Sequence, residues 1–260
     1  MRRSARLYLM ALKNSFASRI TYRADFFFST AMIFIAELLI PFITVLIYKT
    51  GASIPGWTFG EVLLLQGIFL LSRGMANLLF FGLVWNTLNR VREGSYDILL
   101  IKPASTLFLS VATNFEPDSL GVVTCGLLVS LYAFTMLPPP GIADVLLFLL
   151  LFVLSLVMLF AFALLMAGSA FKWVGNSRIY EIFDSLVSFG NYPRSIFSRG
   201  FQTVISYIVP IAAVGFLPAS VLLGKRPEGI IVTCVVCFIF LLASAGFWKL
   251  MLRQYTSAGG

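Results

Sequence analysis

The sequence predicts an all-α fold: a polytopic helical membrane protein with six transmembrane helices and an N-terminal amphipathic interfacial helix. Three observations carry that prediction. Of 260 residues, 59% are hydrophobic and only 12% charged, and the mean hydropathy is +0.94, whereas an average soluble domain is roughly 25% charged. Several windows hold the roughly 20 apolar residues that a helix needs to cross ~30 Å of hydrocarbon. The basic residues behind the net charge of +8 sit in short stretches between those windows, which favours membrane topology over nucleic-acid binding. Lipid leaves only helices and closed barrels as spanning structures, and the unbroken apolar runs lack the alternation of a barrel strand.

The elements follow in order. Residues 4–20 read as the interfacial helix, with Tyr8, Leu12, Phe16 and Ile20 recurring every four positions and the basic residues mostly elsewhere. They lack the compact apolar core and small-residue cleavage site of a signal peptide, so the segment is expected to be retained. The first span is 26–48, closed by Lys49 and a turn-rich stretch that ends at Trp57. The second is 60–85, entered beneath Trp57 and Phe59 and closed by Trp85, as suits an aromatic belt.

A polar link, 86–103, comes next. After it, Glu116-Pro117-Asp118 marks a new helix start, because proline suits a first helical position and acids suit a helix N-terminus. The third span is 119–137, and Pro138-Pro139-Pro140-Gly141 turns the chain tightly into the fourth, 142–171.

The stretch from Ser177 to Gly224 admits two readings. In one, 178–192 is the fifth span and 195–224 is a broken element that dips back from the outer face, marked by Tyr192, Pro193, Pro210 and Pro218. Protein must then bury its irregular backbone. In the other, the chain stays inside up to Arg199 and 201–223 is the fifth span. Residues 229–248 form the last span in both. Both also leave Lys and Arg in excess on the side of the termini, the second more strongly, so both termini are placed in the cytoplasm.

Three features bear on chemistry. Cys125, Cys234 and Cys237 lie in apolar runs, and with no histidine in the chain no metal site or disulfide framework follows. Glu181 and Asp184 could share a helix face at (i, i+3), which reads as a solvated or interface-facing edge rather than an acid–base pair. Glu37 and Arg73 fall near mid-membrane on antiparallel neighbours, and an unpaired charge at that depth is costly, so a buried ion pair is expected between them.

The link reads NTLNRVREGSYDILLIKP, with Arg90, Arg92, Glu93, Asp97 and Lys102 bracketing Leu88, Val91, Ile98 and Leu99. Apolar and charged residues so mixed could dock a soluble partner or lie at the membrane surface. Here Arg92, Gly94, Asp97, Leu100, Lys102 and Pro103 form an Arg-x-Gly-x-x-Asp-x-x-Leu-x-Lys-Pro pattern that resembles the signature of the ABC-2 family of membrane subunits. The N-terminal LYLMALKNSF and ITYRADFFF resemble that family's opening. Tyr192-Pro193, Ile208-Val209-Pro210, Leu217-Pro218-Ala219 and Leu223-Gly224 are similar to its later pattern. The resemblance is nearest to short six-span permeases related to viologen exporters.

That resemblance implies a half-transporter in the cell inner (plasma) membrane. Two permease subunits, identical or related, would sit on two ABC ATPase subunits, with 86–103 as the coupling segment. It also implies the re-entrant element, and so the first topology. The chain has no Gly-x-x-x-x-Gly-Lys-Ser/Thr sequence, so ATP and magnesium are expected on the partner and no cofactor on this chain. The implied activity is export of a small amphipathic or hydrophobic substrate by alternating access, without covalent chemistry. The rival classes are an ion- or proton-coupled carrier or channel using intramembrane charges such as Glu37, and a membrane scaffold.

Overall fold

The computed structural model describes residues 23–173, 177–226 and 229–256, together with Tyr8, Met10 and Lys13. The expected interfacial helix 4–20 therefore lies outside the described residues except for those three positions. Five helices among the described residues are long and apolar enough to cross a membrane. They are α1 (Arg23–Lys49), α2 (Phe59–Arg92), α5 (Pro117–Phe134), α6 (Ile142–Ser169) and α10 (Ile230–Arg253). Between α2 and α5 lie two short helices, α3 (Asp97–Leu100) and α4 (Thr106–Ala112). Between α6 and α10 lie α7 (Ser177–Ser188) and a bent pair, α8 (Arg199–Ile208) and α9 (Ile211–Leu222), which meet at 74°. The protein is a polytopic helical membrane protein.

The chain has two ends by composition. Arg92, Lys172 and Arg253 gather at a basic end, and the turns holding Trp57, Pro138–Pro140 and Lys225 form the other. At that second end Thr58 and Glu61 form a capping box: Glu61 N–H donates to Thr58 Oγ1 at 3.4 Å, and Thr58 N–H to Glu61 Oε2 at 2.9 Å. Lys225 reaches across to Glu61 Oε1 at 2.8 Å and lies 4.3 Å from the centre of the Trp57 ring.

The central helix is α2, buried along most of its first five turns. It packs on α5 by small residues. A Cβ added at Gly67 would meet Ser130 N at 2.7 Å, and one at Gly126 would meet Leu71 N at 2.5 Å, so the two backbones touch. Lipid supplies no hydrophobic drive between helices, and close backbone approach through glycine is how they gain packing energy there.

Two interruptions fall inside spans. Pro41 has no N–H to give the Glu37 carbonyl, and α1 breaks at Leu38 between Arg23–Glu37 and Leu39–Lys49. In α2 a π-turn occupies Asn77–Phe81, and past it α2 runs seven residues beyond Trp85, longer than the expected 60–85. Residues 119–137 and 142–171 appear as Pro117–Phe134 and Ile142–Ser169, and 229–248 as Ile230–Arg253.

The region 178–224 is built of several short elements. The described part of α7 has 12 residues, about 18 Å of helix. A 3-10 turn, Phe189–Asn191, extends it until Tyr192 turns extended at φ −118° and ψ 145°, as a residue before proline prefers. Gly190 sits against Phe69 of α2, so α7 stops within the depth of the bundle. The bend between α8 and α9 falls at Val209-Pro210, and Pro218 lies inside the helical stretch Phe216–Leu222. The turn at the bend is held within protein: Ser155 of α6 donates its hydroxyl to the Ala213 carbonyl at 2.8 Å.

Candidate functional site

The polar link begins where α2 ends. Gly94 adopts φ +67°, and two hydrogen bonds close the helix: Ser95 N–H to Arg90 O at 2.9 Å and Gly94 N–H to Val91 O at 3.3 Å. That pairing is a Schellman cap, and the left-handed position is one that glycine takes without a Cβ clash. The chain then folds back on the bundle. Tyr96 is fully buried and Leu99 is 2% exposed, whereas Ile98, Leu100, Lys102 and Pro103 are exposed and Ile101 is 83% exposed.

The consequence is a short helix with one face nailed into the protein and the other free. Val91 and Leu99, read from the sequence as part of one apolar stripe with Leu88 and Ile98, point inward instead. The outward apolar group is Ile98, Leu100 and Ile101, rimmed by Arg92, Glu93 and Lys102, all exposed, and by half-buried Arg90 and Asp97. An aliphatic centre with a charged rim of both signs has the chemistry of a protein-docking surface. Burial pushes the Tyr96 phenol up to about 12, so Tyr96 is a neutral anchor and no charge of its own enters the surface.

A second site lies within the membrane-spanning region. Arg73 of α2 faces two carboxylates on different helices: its Nη2 donates to Asp184 Oδ1 of α7 at 3.0 Å, and its Nη1 lies 3.7 Å from Glu37 Oε1 of α1. The structure brings Glu37 and Arg73 together at the longer of these two distances. Glu181 is exposed, whereas Asp184 is half-buried and bonds to Arg73. The three side chains remain 20–38% exposed. Nearby, Gln66 Nε2 donates to Thr44 Oγ1 at 2.8 Å, a buried α1–α2 contact that the sequence did not point to.

No group of histidine, cysteine, aspartate and glutamate that could hold a metal ion occurs among the described residues. Cys125 and Cys237 are buried, Cys234 is half-buried, and all three are free thiols.

Comparison with known families decides what this arrangement belongs to. A family model described as ABC-2 family transporter protein matches residues 32–259. The chain belongs to the ABC-2 transporter family. The comparison with curated proteins found no match, and neither did the comparison with solved structures. As an ABC-2 membrane component the chain is the permease of an ABC transporter, a transport subunit of a kind that works with an ABC ATPase. Within this ABC-2 permease, the Arg92-x-Gly94 part of the link forms the helix stop, and Ile98, Leu100, Ile101 and Lys102 form the exposed face.

Proposed function

We propose that this permease couples an ABC ATPase to outward movement of a small amphipathic or hydrophobic substrate. It would sit in the cell inner (plasma) membrane with both termini cytoplasmic, paired with a second permease subunit that is identical or related. ATP and magnesium belong on the ATPase, and no cofactor on this chain. The observation that carries the reading is the α3 turn, pinned by Tyr96 and Leu99 and presenting Ile98, Leu100 and Ile101 beside Lys102. Such a surface is apolar enough to need a partner and short enough to fit a groove.

ATP-driven closure of two ATPase subunits would displace that turn, and the helices attached to it would open the pathway on the far side. The test is co-purification with the ABC ATPase and its hydrolysis rate. Asp97→Lys, placed beside the exposed isoleucines, is expected to weaken assembly and abolish the permease-dependent change in ATP hydrolysis while membrane insertion persists. Normal assembly and stimulation in that variant would refute the assignment.

The rival reading, an ion-coupled carrier, draws on the half-exposed cluster of Arg73, Glu37 and Asp184. Activity in vesicles that survives removal of ATP but collapses with the ion gradient would favour it.

A further inference from the structure

Tyr96 lies at the centre of an aromatic cluster that reaches two helices remote in sequence from the link. Its ring meets Phe171 edge-on at 4.9 Å and Tyr255 at 5.6 Å, and Phe171 in turn meets Trp248 at 5.0 Å and Tyr255 at 5.8 Å. Phe171 follows the last residues of α6, held by its N–H to Gly168 O at 3.3 Å. Tyr255 follows α10 in the same way, through its N–H to Leu252 O at 3.3 Å, and Trp248 is in α10 itself.

These two helix ends are also packed on each other. A Cβ added at Gly168 would meet the Phe247 ring at 3.1 Å and Trp248 Cα at 3.4 Å. Close-packed contacts of this kind transmit displacement rather than absorb it. The link to α2, by contrast, passes through the glycine turn at Gly94. The covalent route therefore contains a bend, and the route through the rings contains none.

We propose that Tyr96 is the positioning residue through which the docked link moves the basic ends of α6 and α10, with Phe171 and Tyr255 as the receiving rings. The proposal rests on the reading of Ile98 to Lys102 as the ATPase contact. Docking is made by the exposed side chains, and transmission by the one buried aromatic in the same turn, so the two can be separated by mutation.

Hydrogen exchange on the whole complex with its ABC ATPase, in lipid discs, reads both. In the wild type, trapping with ATP and vanadate should alter exchange in peptides covering 94–104 and in those covering 244–256. In Tyr96→Ala the change at 94–104 should remain and the change at 244–256 should fall to the nucleotide-free level. Tyr96→Phe, which keeps the ring, should restore it, and Tyr255→Ala should reproduce the loss from the other side of the cluster. Should Tyr96→Ala fail to assemble, Tyr255→Ala decides alone. A C-terminal response that survives in the alanine variants overturns the proposal and leaves the docking reading standing. A wild-type complex whose 94–104 region ignores the nucleotide overturns the docking reading and this proposal together.

Discussion

Arg73 of α2 donates to Asp184 of α7 at 3.0 Å, closer than its 3.7 Å approach to Glu37 of α1. One guanidinium thus joins three helices, and the two carboxylates compete for it. Removing Arg73 leaves two acids at membrane depth, where each uncompensated charge costs at least about 2.5–3.5 kcal/mol on insertion scales. Arg73→Gln should accordingly lower the thermal midpoint of the purified permease more than Asp184→Asn, and Asp184→Asn more than Glu37→Gln. Equal effects of the two acid substitutions would show that the shorter contact carries no extra weight.

Charge exchange gives a sharper form of that test. Glu37→Arg with Arg73→Glu places a new carboxylate beside Asp184, so it should recover little stability. Asp184→Arg with Arg73→Glu restores the closer pair and keeps an arginine within the cluster. It should recover more, read as folded yield after detergent extraction.

The α1–α2 contact has a polar component in Gln66 and Thr44 at 2.8 Å. Thr44→Val removes the acceptor and strands a buried amide. The expected loss is about 0.6 kcal/mol, the average for interhelical hydrogen bonds measured in a membrane protein, and at most about 1.7 kcal/mol. Gln66→Leu in the same background should cost little further, because the donor left unpaired is then gone. Chemical denaturation of the single and double variants measures the coupling.

The α2–α5 contact depends on backbone proximity at Gly67 and Gly126. Gly126→Val would drive a branched side chain into the Leu71 and Gly67 backbone, and no rotamer relieves a clash with main chain. The folded fraction should fall steeply, as measured by size-exclusion profile, whereas Gly246→Ala, at a position open to space, should leave it unchanged.

Much of the fold was legible because long apolar runs and proline turns are strong signals at membrane scale. What escaped was set by side-chain direction. Asp184 was read with Glu181 as an edge pair, yet only a structure shows that Asp184 meets Arg73, 111 residues away in sequence. Tyr96 looked like part of a polar loop because its neighbours are polar, but the Gly94 cap turns it back into the bundle. Pro41 and the Asn77–Phe81 π-turn interrupt spans without changing their hydropathy, so the runs alone could not reveal them. The end of α7 follows from Tyr192-Pro193, which was visible, but where that end falls relative to Phe69 was not.

The most direct measurement of the central claim places a photoreactive residue at Ile101, the most exposed apolar side chain of the link, in cells that hold the transporter's ATPase. A matched control carries it at Ile142, equally exposed at 83% on the opposite end of the bundle. Irradiation should join the Ile101 variant to a polypeptide bearing a P-loop and leave the Ile142 variant unjoined to it. Absence of that adduct at Ile101 while the ATPase still co-purifies, or equal capture at both positions, would contradict the assignment of Ile98 to Lys102 as the coupling face.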